Sequence, residues 1–155
     1  MRVAGTWFDL ENATYEIYLS GCNPPHCPGC HNPELWSFDV GLHWEVAMPD
    51  ILVAITSPLV SRVAIMGGEP LHQDRSDFAD FMETLDREFI LPIYLFTRCG
   101  LDAIDPVILS CCDYVKTGAY REDLPEGGVE HGWQMASANQ KIVSGNRRAD
   151  TRTRS

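Results

Sequence analysis

Basic residues are scarce in this chain: 12 Lys and Arg stand against 22 Asp and Glu, a formal net charge of -10. Nonspecific nucleic-acid binding rests on neutralising phosphates with Lys and Arg, so the balance argues against that class of function. Long apolar runs are absent too, and none approaches the roughly 18 residues that mark a membrane-spanning helix. The first ten residues, MRVAGTWFDL, lack the basic start and apolar stretch of a secretion signal. No internal repeat, low-complexity block or linker divides the chain. These absences predict a soluble, cytoplasmic protein with neither nucleic acid nor membrane among its partners.

What is present suits one domain. Of the 155 residues, 45% are apolar and 22% charged, enough to bury a core and to argue against global disorder. The ending Asn146 to Ser155, NRRADTRTRS, runs against the acidic trend with four Arg and one Asp. The reading is a folded domain over residues 1–145 and a basic, flexible tail over 146–155.

Apolar patterning predicts strands alternating with helices. Thr14 to Ser20 alternates as a strand and runs straight into Gly21. A helix is expected near Trp44 to Thr56, interrupted or started by Pro49. Arg62 to Met66 is a short apolar strand ending at Gly67-Gly68. Ser76 to Phe89 places Phe78, Phe81, Met82, Leu85 and Phe89 at helical spacing, one apolar face. Further strands are expected at Pro92 to Thr97, Asp113 to Lys116 and Gln140 to Val143. A short helix is expected at Pro106 to Ser110, with Asp105 as its cap. This order predicts an α/β fold: a parallel sheet with flanking helices and right-handed crossovers. Eight βα units need a longer chain, so a partial, open barrel is expected. In such folds functional loops gather at the carboxyl ends of the strands.

Six cysteines could make three disulfides, but three crowd between Cys22 and Cys30, and Cys111 and Cys112 are adjacent. Without a secretion signal, such clustering reads as metal ligation. The loop GCNPPHCPGCHNPELW spaces Cys22, Cys27 and Cys30 as C-x4-C-x2-C. A structural zinc site closes with four protein ligands. Three thiolates instead suit a four-iron cluster with one iron left open to a substrate. A zinc site completed by His26 or His31 is the alternative, and Cys99, Cys111 or Cys112 could each be a fourth ligand.

Together with Gly67-Gly68-Glu69-Pro70 after a strand, the loop resembles the radical S-adenosylmethionine (SAM) superfamily. Within it, C-P-G-C-H-N followed by Trp36 is similar to the activating enzymes of anaerobic ribonucleotide reductases. The stretches MGGEPL, DYVKTGAY and SANQKIV agree with that family. The superfamily usually spaces its first two cysteines by three residues, whereas Asn23, Pro24, Pro25 and His26 make four here.

The resemblance implies an open βα barrel of the radical SAM type. It also implies a [4Fe-4S] cluster on Cys22, Cys27 and Cys30, with SAM on the fourth iron. Gly67, Gly68, Glu69 and Pro70 would hold the amino acid end of SAM, Glu69 matching its ammonium. His31 and Asn32 would lie near the adenine. Thr97, Arg98 and Gly118 stand at strand ends where a ribose or carboxylate could be met. Asn139 and Gln140 are assigned to the SAM or partner region by resemblance alone, and Trp36 reads as a packing residue. The implied oxidoreductase generates a glycyl radical on an anaerobic ribonucleotide reductase, fed by a low-potential donor such as flavodoxin or ferredoxin. The rivals are a small-molecule radical SAM enzyme, as in deazapurine precursor synthesis, and a non-catalytic zinc-binding interaction module.

Overall fold

A computed structural model describes residues 1–147. The elements, in chain order, are β1 (Arg2–Asp9), β2 (Thr14–Leu19), β3 (Leu42–His43), α1 (Trp44–Ile55), β4 (Arg62–Gly67), α2 (Arg75–Glu88), β5 (Ile93–Phe96), α3 (Pro106–Ser110), β6 (Tyr114–Thr117), β7 (Val129–Glu130), β8 (Trp133–Gln134) and β9 (Lys141–Ser144). Seven strands form one sheet in the order β3-β1-β2-β4-β5-β6-β9, and β7 pairs only with β8. No helix among the described residues is long and apolar enough to cross a membrane.

The α/β class is as expected, but the sheet is mixed rather than parallel throughout. β2, β4, β5 and β6 run parallel, whereas β1, β3 and β9 add antiparallel edges. Parallel neighbours need a long crossover, which α1, α2 and α3 supply; β1 reaches β2 through a short turn and must return antiparallel. The strand expected at Gln140 to Val143 is β9, and it too is antiparallel. β1 escaped the patterning because Gly5 breaks its apolar alternation and Gly5 to Trp7 are exposed.

Successive strand residues point to opposite faces, and that alternation builds the core. Ile17 and Leu19, Val63 and Ile65, Ile93 and Leu95, and Val115 form one buried layer with the helices. α2 contributes Phe78, Phe81, Met82 and Leu85, the expected face, and its first turn is capped by Asp74, which accepts from the Asp77 N–H at 3.0 Å. α1 runs through Pro49, which lies on the exposed side away from buried Trp44, Met48 and Ile51. Asp105 caps α3 as expected, accepting from the Val107 N–H at 2.8 Å.

The opposite face carries Glu16, Tyr18, Met66, Tyr94, Phe96, Tyr114 and Lys116. The β7–β8 hairpin lies over part of it: Trp133 meets Tyr94 and Phe96 edge-on, with ring centroids 4.7 and 5.1 Å away. The Arg62 guanidinium stacks 3.6 Å above the Trp133 ring, a cation–π contact that holds the hairpin down.

Residues 148–155 of the basic tail lie outside the described residues. Arg147, counted with that tail, instead belongs to the folded body. It is 5% exposed and its guanidinium meets Asp113 at 2.9 Å and Asp86 at 2.6 Å. A run of arginines reads as solvated until a buried carboxylate pair claims one of them.

Candidate functional site

A cavity of about 230 Å³ opens at the carboxyl ends of the four parallel strands. Each strand delivers part of its wall. The loop after β2 brings Cys22, Cys27, Cys30, His31, Asn32 and Trp36; the end of β4 and the turn after it bring Gly67, Gly68 and Glu69; the end of β5 brings Thr97 and Arg98; and the end of β6 brings Gly118. Twelve residues drawn from four separate segments of sequence thus share one wall. Pro70 and Asn139 do not line it. Pro70 opens the short 3-10 turn behind Glu69. Asn139 is engaged below, donating to the Ala119 carbonyl at 2.8 Å and accepting from the Ser137 hydroxyl at 2.8 Å.

The Gly-Gly-Glu-Pro turn is welded to the cysteine loop by main-chain bonds. The Gly68 N–H donates to the Leu19 carbonyl and the Glu69 N–H to the Gly21 carbonyl, both at 2.8 Å. That closeness is what demands glycine. Gly67 has φ +114°, and a Cβ at Gly68 would stand 2.3 Å from the Gly21 carbonyl oxygen, a distance no side chain tolerates. Buried Gln73 completes the weld, donating through Nε2 to the carbonyls of Ser20 (3.0 Å), Gly21 (3.2 Å) and Glu69 (3.2 Å).

Glu69 is 2% exposed, and its carboxylate ties two strand ends together. Oε1 accepts from the Thr97 hydroxyl at 2.6 Å and the Leu71 N–H at 3.0 Å; Oε2 accepts from the Arg98 N–H at 2.9 Å. A carboxylate has about four acceptor positions, and the protein fills three of them. The burial of so polar a group is balanced by these bonds.

Arg98 clamps the cysteine loop from the other side. Its Nη1 donates to the Pro25 carbonyl at 2.7 Å and its Nη2 to the Asn23 carbonyl at 3.0 Å. The Asn23 N–H donates to His72 Nδ1 at 2.9 Å. The residues that lengthen the first cysteine spacing are therefore held at both ends, with a cis bond between Pro24 and Pro25. His26 is fixed as well: its ring stacks on Trp36 at 3.9 Å and its Nε2 lies 2.8 Å from the Cys22 carbonyl. Trp36 thus packs the loop, as its sequence position suggested, while also lining the cavity.

All six cysteines are free thiols. Cys22, Cys27 and Cys30 are partly exposed on the cavity, and burial holds the Cys22 thiol above its ordinary value while the Arg98 charge opposes that rise. Cys99, Cys111 and Cys112 do not reach the cavity. Burial pushes the Cys111 thiol up to about 11 and the Cys112 thiol further still. Their Sγ atoms face the carbonyls of Val107 and Ile108. They are core residues, as small buried hydrophobes commonly are. Among the described residues no group of three or more His, Cys, Asp or Glu converges closely enough to hold one metal ion. Cys22, Cys27 and Cys30 all line this one cavity.

Sequence reasoning missed Gln73, His72, Tyr18 and Lys116. Gln73 and His72 carry no motif. Tyr18 lines the cavity and donates to Glu16 at 2.7 Å. Lys116 did leave a signal: a charged residue inside the short strand YVKT.

A family model described as a 4Fe-4S single cluster domain matches residues 13–143. Among curated proteins, the chain is 26% identical over 142 residues to the anaerobic ribonucleoside-triphosphate reductase-activating protein of Pasteurella multocida, covering 85% of this chain and 87% of that one. It is 26% identical over 134 residues to the protein of the same name from Escherichia coli, covering 81% and 84%. The Haemophilus influenzae protein of that name is 26% identical over 140 residues, covering 85% and 88%. No solved structure gives a significant match.

Proposed function

Because this chain belongs to the family of 4Fe-4S single cluster domains, we propose that it is a radical SAM activase acting on an anaerobic ribonucleotide reductase. The observation that carries the reading is that the three loop cysteines, and no other cysteine, open on the cavity that Glu69 and the glycine turn also line. Cys22, Cys27 and Cys30 would hold the cluster as thiolates. With one iron lacking a protein ligand, it would supply the electron that splits SAM into methionine and a 5'-deoxyadenosyl radical, which takes hydrogen from a glycine of the reductase.

The chain's own residues have separable tasks in this reading. Gly67 and Gly68 let the turn lie against the cysteine loop, so the thiols and Glu69 share one rigid frame. The remaining acceptor position of Glu69 meets the SAM ammonium. Arg98 and His72 restrain the lengthened loop, and His31, Asn32, Thr97, Gly118, Asn139 and Gln140 form or support the nucleoside side. The sheet serves as a partial βα barrel whose open mouth admits the protein substrate. Electrons come from a low-potential donor such as flavodoxin or ferredoxin, in the cytoplasm. The names of the relatives support the substrate, and the cavity's position at the strand ends supports the chemistry.

The test is anaerobic reconstitution followed by low-temperature EPR. A reduced cluster signal that changes on adding SAM, and a glycyl doublet on the partner reductase, are the expected results. Protein that takes up one zinc and no iron would sink the reading.

Glu69→Ala separates the turn from the cluster. It removes the acceptor for three donors, and leaving buried donors unmatched costs about 1–3 kcal/mol. The urea midpoint should fall accordingly and SAM affinity should drop, while iron content stays at the parent level. Loss of iron would show that the turn supports the thiolates rather than the cosubstrate.

A further inference from the structure

β1 is covered along only part of its length. β3 pairs with it at Arg2 and Val3, and among the described residues no strand lies beside its outer edge from Gly5 to Asp9. A strand paired on one side alone keeps unmatched N–H and C=O groups on the other, and these are a template for a second main chain. Charged residues and proline, the usual guards of such an edge, are absent from Ala4 to Phe8. Gly5, Thr6 and Trp7 are exposed, the Trp7 indole by 65%.

This edge leads into the site. A groove of about 340 Å³ runs along it, walled by Gly5 and Trp7 of β1, Tyr18 of β2, and Asn32 and Glu34 beyond the last loop cysteine. Tyr18 and Asn32 also line the cavity at the strand ends, so the two spaces share a wall. The Tyr18 hydroxyl donates to Glu16 at 2.7 Å, which fixes the ring in that wall. Gly5 pairs with Tyr18 across the sheet, so a side chain there would stand on the same face. A Cβ at Gly5 would meet nothing within 4 Å, and its φ is not positive. Neither packing nor backbone conformation demands glycine at this position. What it supplies is clearance, as glycine inside a strand does where another backbone approaches.

We propose that the open edge of β1 takes an extended segment of the partner reductase as an added strand. Gly5 is then the gap through which the residues beyond that segment turn into the cavity. The inference rests on the activase reading of the site. Unmatched main-chain groups select another main chain. The indole selects an apolar or cationic side chain, and Glu34, the one charged residue of the groove, favours a segment without excess acid. The shared wall selects the protein on which the site acts over a second copy of this chain. An added strand lies about 4.8 Å from β1, so the pairing anchors the segment and its neighbouring residues supply the reach.

The test is amide hydrogen exchange of the anaerobically reconstituted full chain, with SAM, alone and with the full-length reductase. Exchange over residues 5–9 should slow in the complex, since edge amides gain partners. Trp7→Ala should weaken binding to the reductase about 10- to 100-fold, the range of an interface aromatic. Gly5→Val, which the open space accepts, should weaken it similarly by closing the gap. Both variants should keep the iron content, SAM affinity and thermal midpoint of the parent. Unchanged exchange over 5–9 in a complex that does form, or full affinity in both variants, overturns the edge and leaves the activase reading standing. Protection that appears without the reductase and grows with the concentration of this chain marks a self-pairing edge, and overturns it too. If the parent chain forms no complex with the reductase, the activase reading and this inference fall together.

Discussion

Cys27→Ala should reduce the iron of the reconstituted protein from about four atoms per chain, the content of one such cluster, to a trace, and abolish SAM cleavage. The expectation follows from how the ligands are distributed. Cys22, Cys27 and Cys30 are the cysteines that reach the cavity, and the remaining three are engaged elsewhere: Cys111 and Cys112 in the core, Cys99 in the strand-end turn, where its N–H donates to the Thr97 hydroxyl at 3.0 Å. No spare thiol stands ready to replace the one removed. His26, the nearest imidazole in sequence, is stacked on Trp36 and held at the Cys22 carbonyl. Iron analysis and the visible charge-transfer absorption report the cluster, and deoxyadenosine release reports the cleavage. Cys111→Ala is the control, because that thiol is buried away from the site and its loss should leave iron content unchanged. A Cys27→Ala protein that kept its iron would falsify the ligand assignment.

Much of this site was legible because its parts are local. Three cysteines within nine residues and a Gly-Gly-Glu-Pro turn at the end of an apolar strand are patterns that backbone chemistry imposes on a short segment. Alternation gave β2, short apolar runs gave β4, β5 and β6, and helical spacing gave the buried face of α2, since a local period reports a buried face directly. Where function depended on partners distant in sequence, the pattern was silent. Gln73 joins Ser20 and Gly21 across more than fifty residues of chain, and nothing around Gln73 hints at it. The role of Arg98 was likewise hidden: it was expected to meet ligand, but its guanidinium holds the main chain of the cysteine loop. Asn139, assigned by resemblance, turns its amide to Ala119 and Ser137 rather than to the cavity. Pairing direction was the other blind spot. The apolar pattern of β9 is the same whether it joins β6 parallel or antiparallel, and only the hairpin inserted before it decides.

The four-residue spacing between the first two cysteines is accommodated by added restraint rather than by slack. Asn23 and Pro25 give their carbonyls to Arg98, the Asn23 N–H goes to His72, and the Cys22 carbonyl faces His26. An extra residue in a loop adds little closure entropy, so the main requirement is that its polar backbone groups find partners. These contacts supply them. The loop can therefore present its three thiols at the cavity despite its added length.

Arg147→Met should destabilise the protein by about 3–5 kcal/mol, the range for breaking a buried ion pair by removing one member. Arg147 follows β9, and its side chain is 6% exposed, as is that of Asp113. Its Nη1 meets Asp113 Oδ2 at 2.9 Å and donates to the Leu91 carbonyl at 2.6 Å; its Nε meets Asp86 at 2.6 Å, and its Nη2 donates to the Phe89 carbonyl. One guanidinium thus fastens the segment after β9 to the last turn of α2, to the start of β5 and to the start of β6. Asp113 also accepts from the Ile93 N–H at 2.9 Å, so the arginine neutralises a carboxylate that sets the entry of β5. Methionine can fill the space but supplies neither charge nor donors, and both Asp86 and Asp113 lose this buried ion pair. Urea denaturation of the full chain should show the fall in midpoint. Adding Asp113→Asn should recover part of it, because the second change removes one of the charges that Arg147 had matched and groups in one network do not act additively. A loss below about 1 kcal/mol, the scale of a surface pair, would mean that Arg147 is not held in this pocket in solution. The contrast with a surface pair is physical: an arginine in water gains little from an acidic neighbour, whereas this one is enclosed with its partners at the starts of β5 and β6, the end of the sheet away from the site.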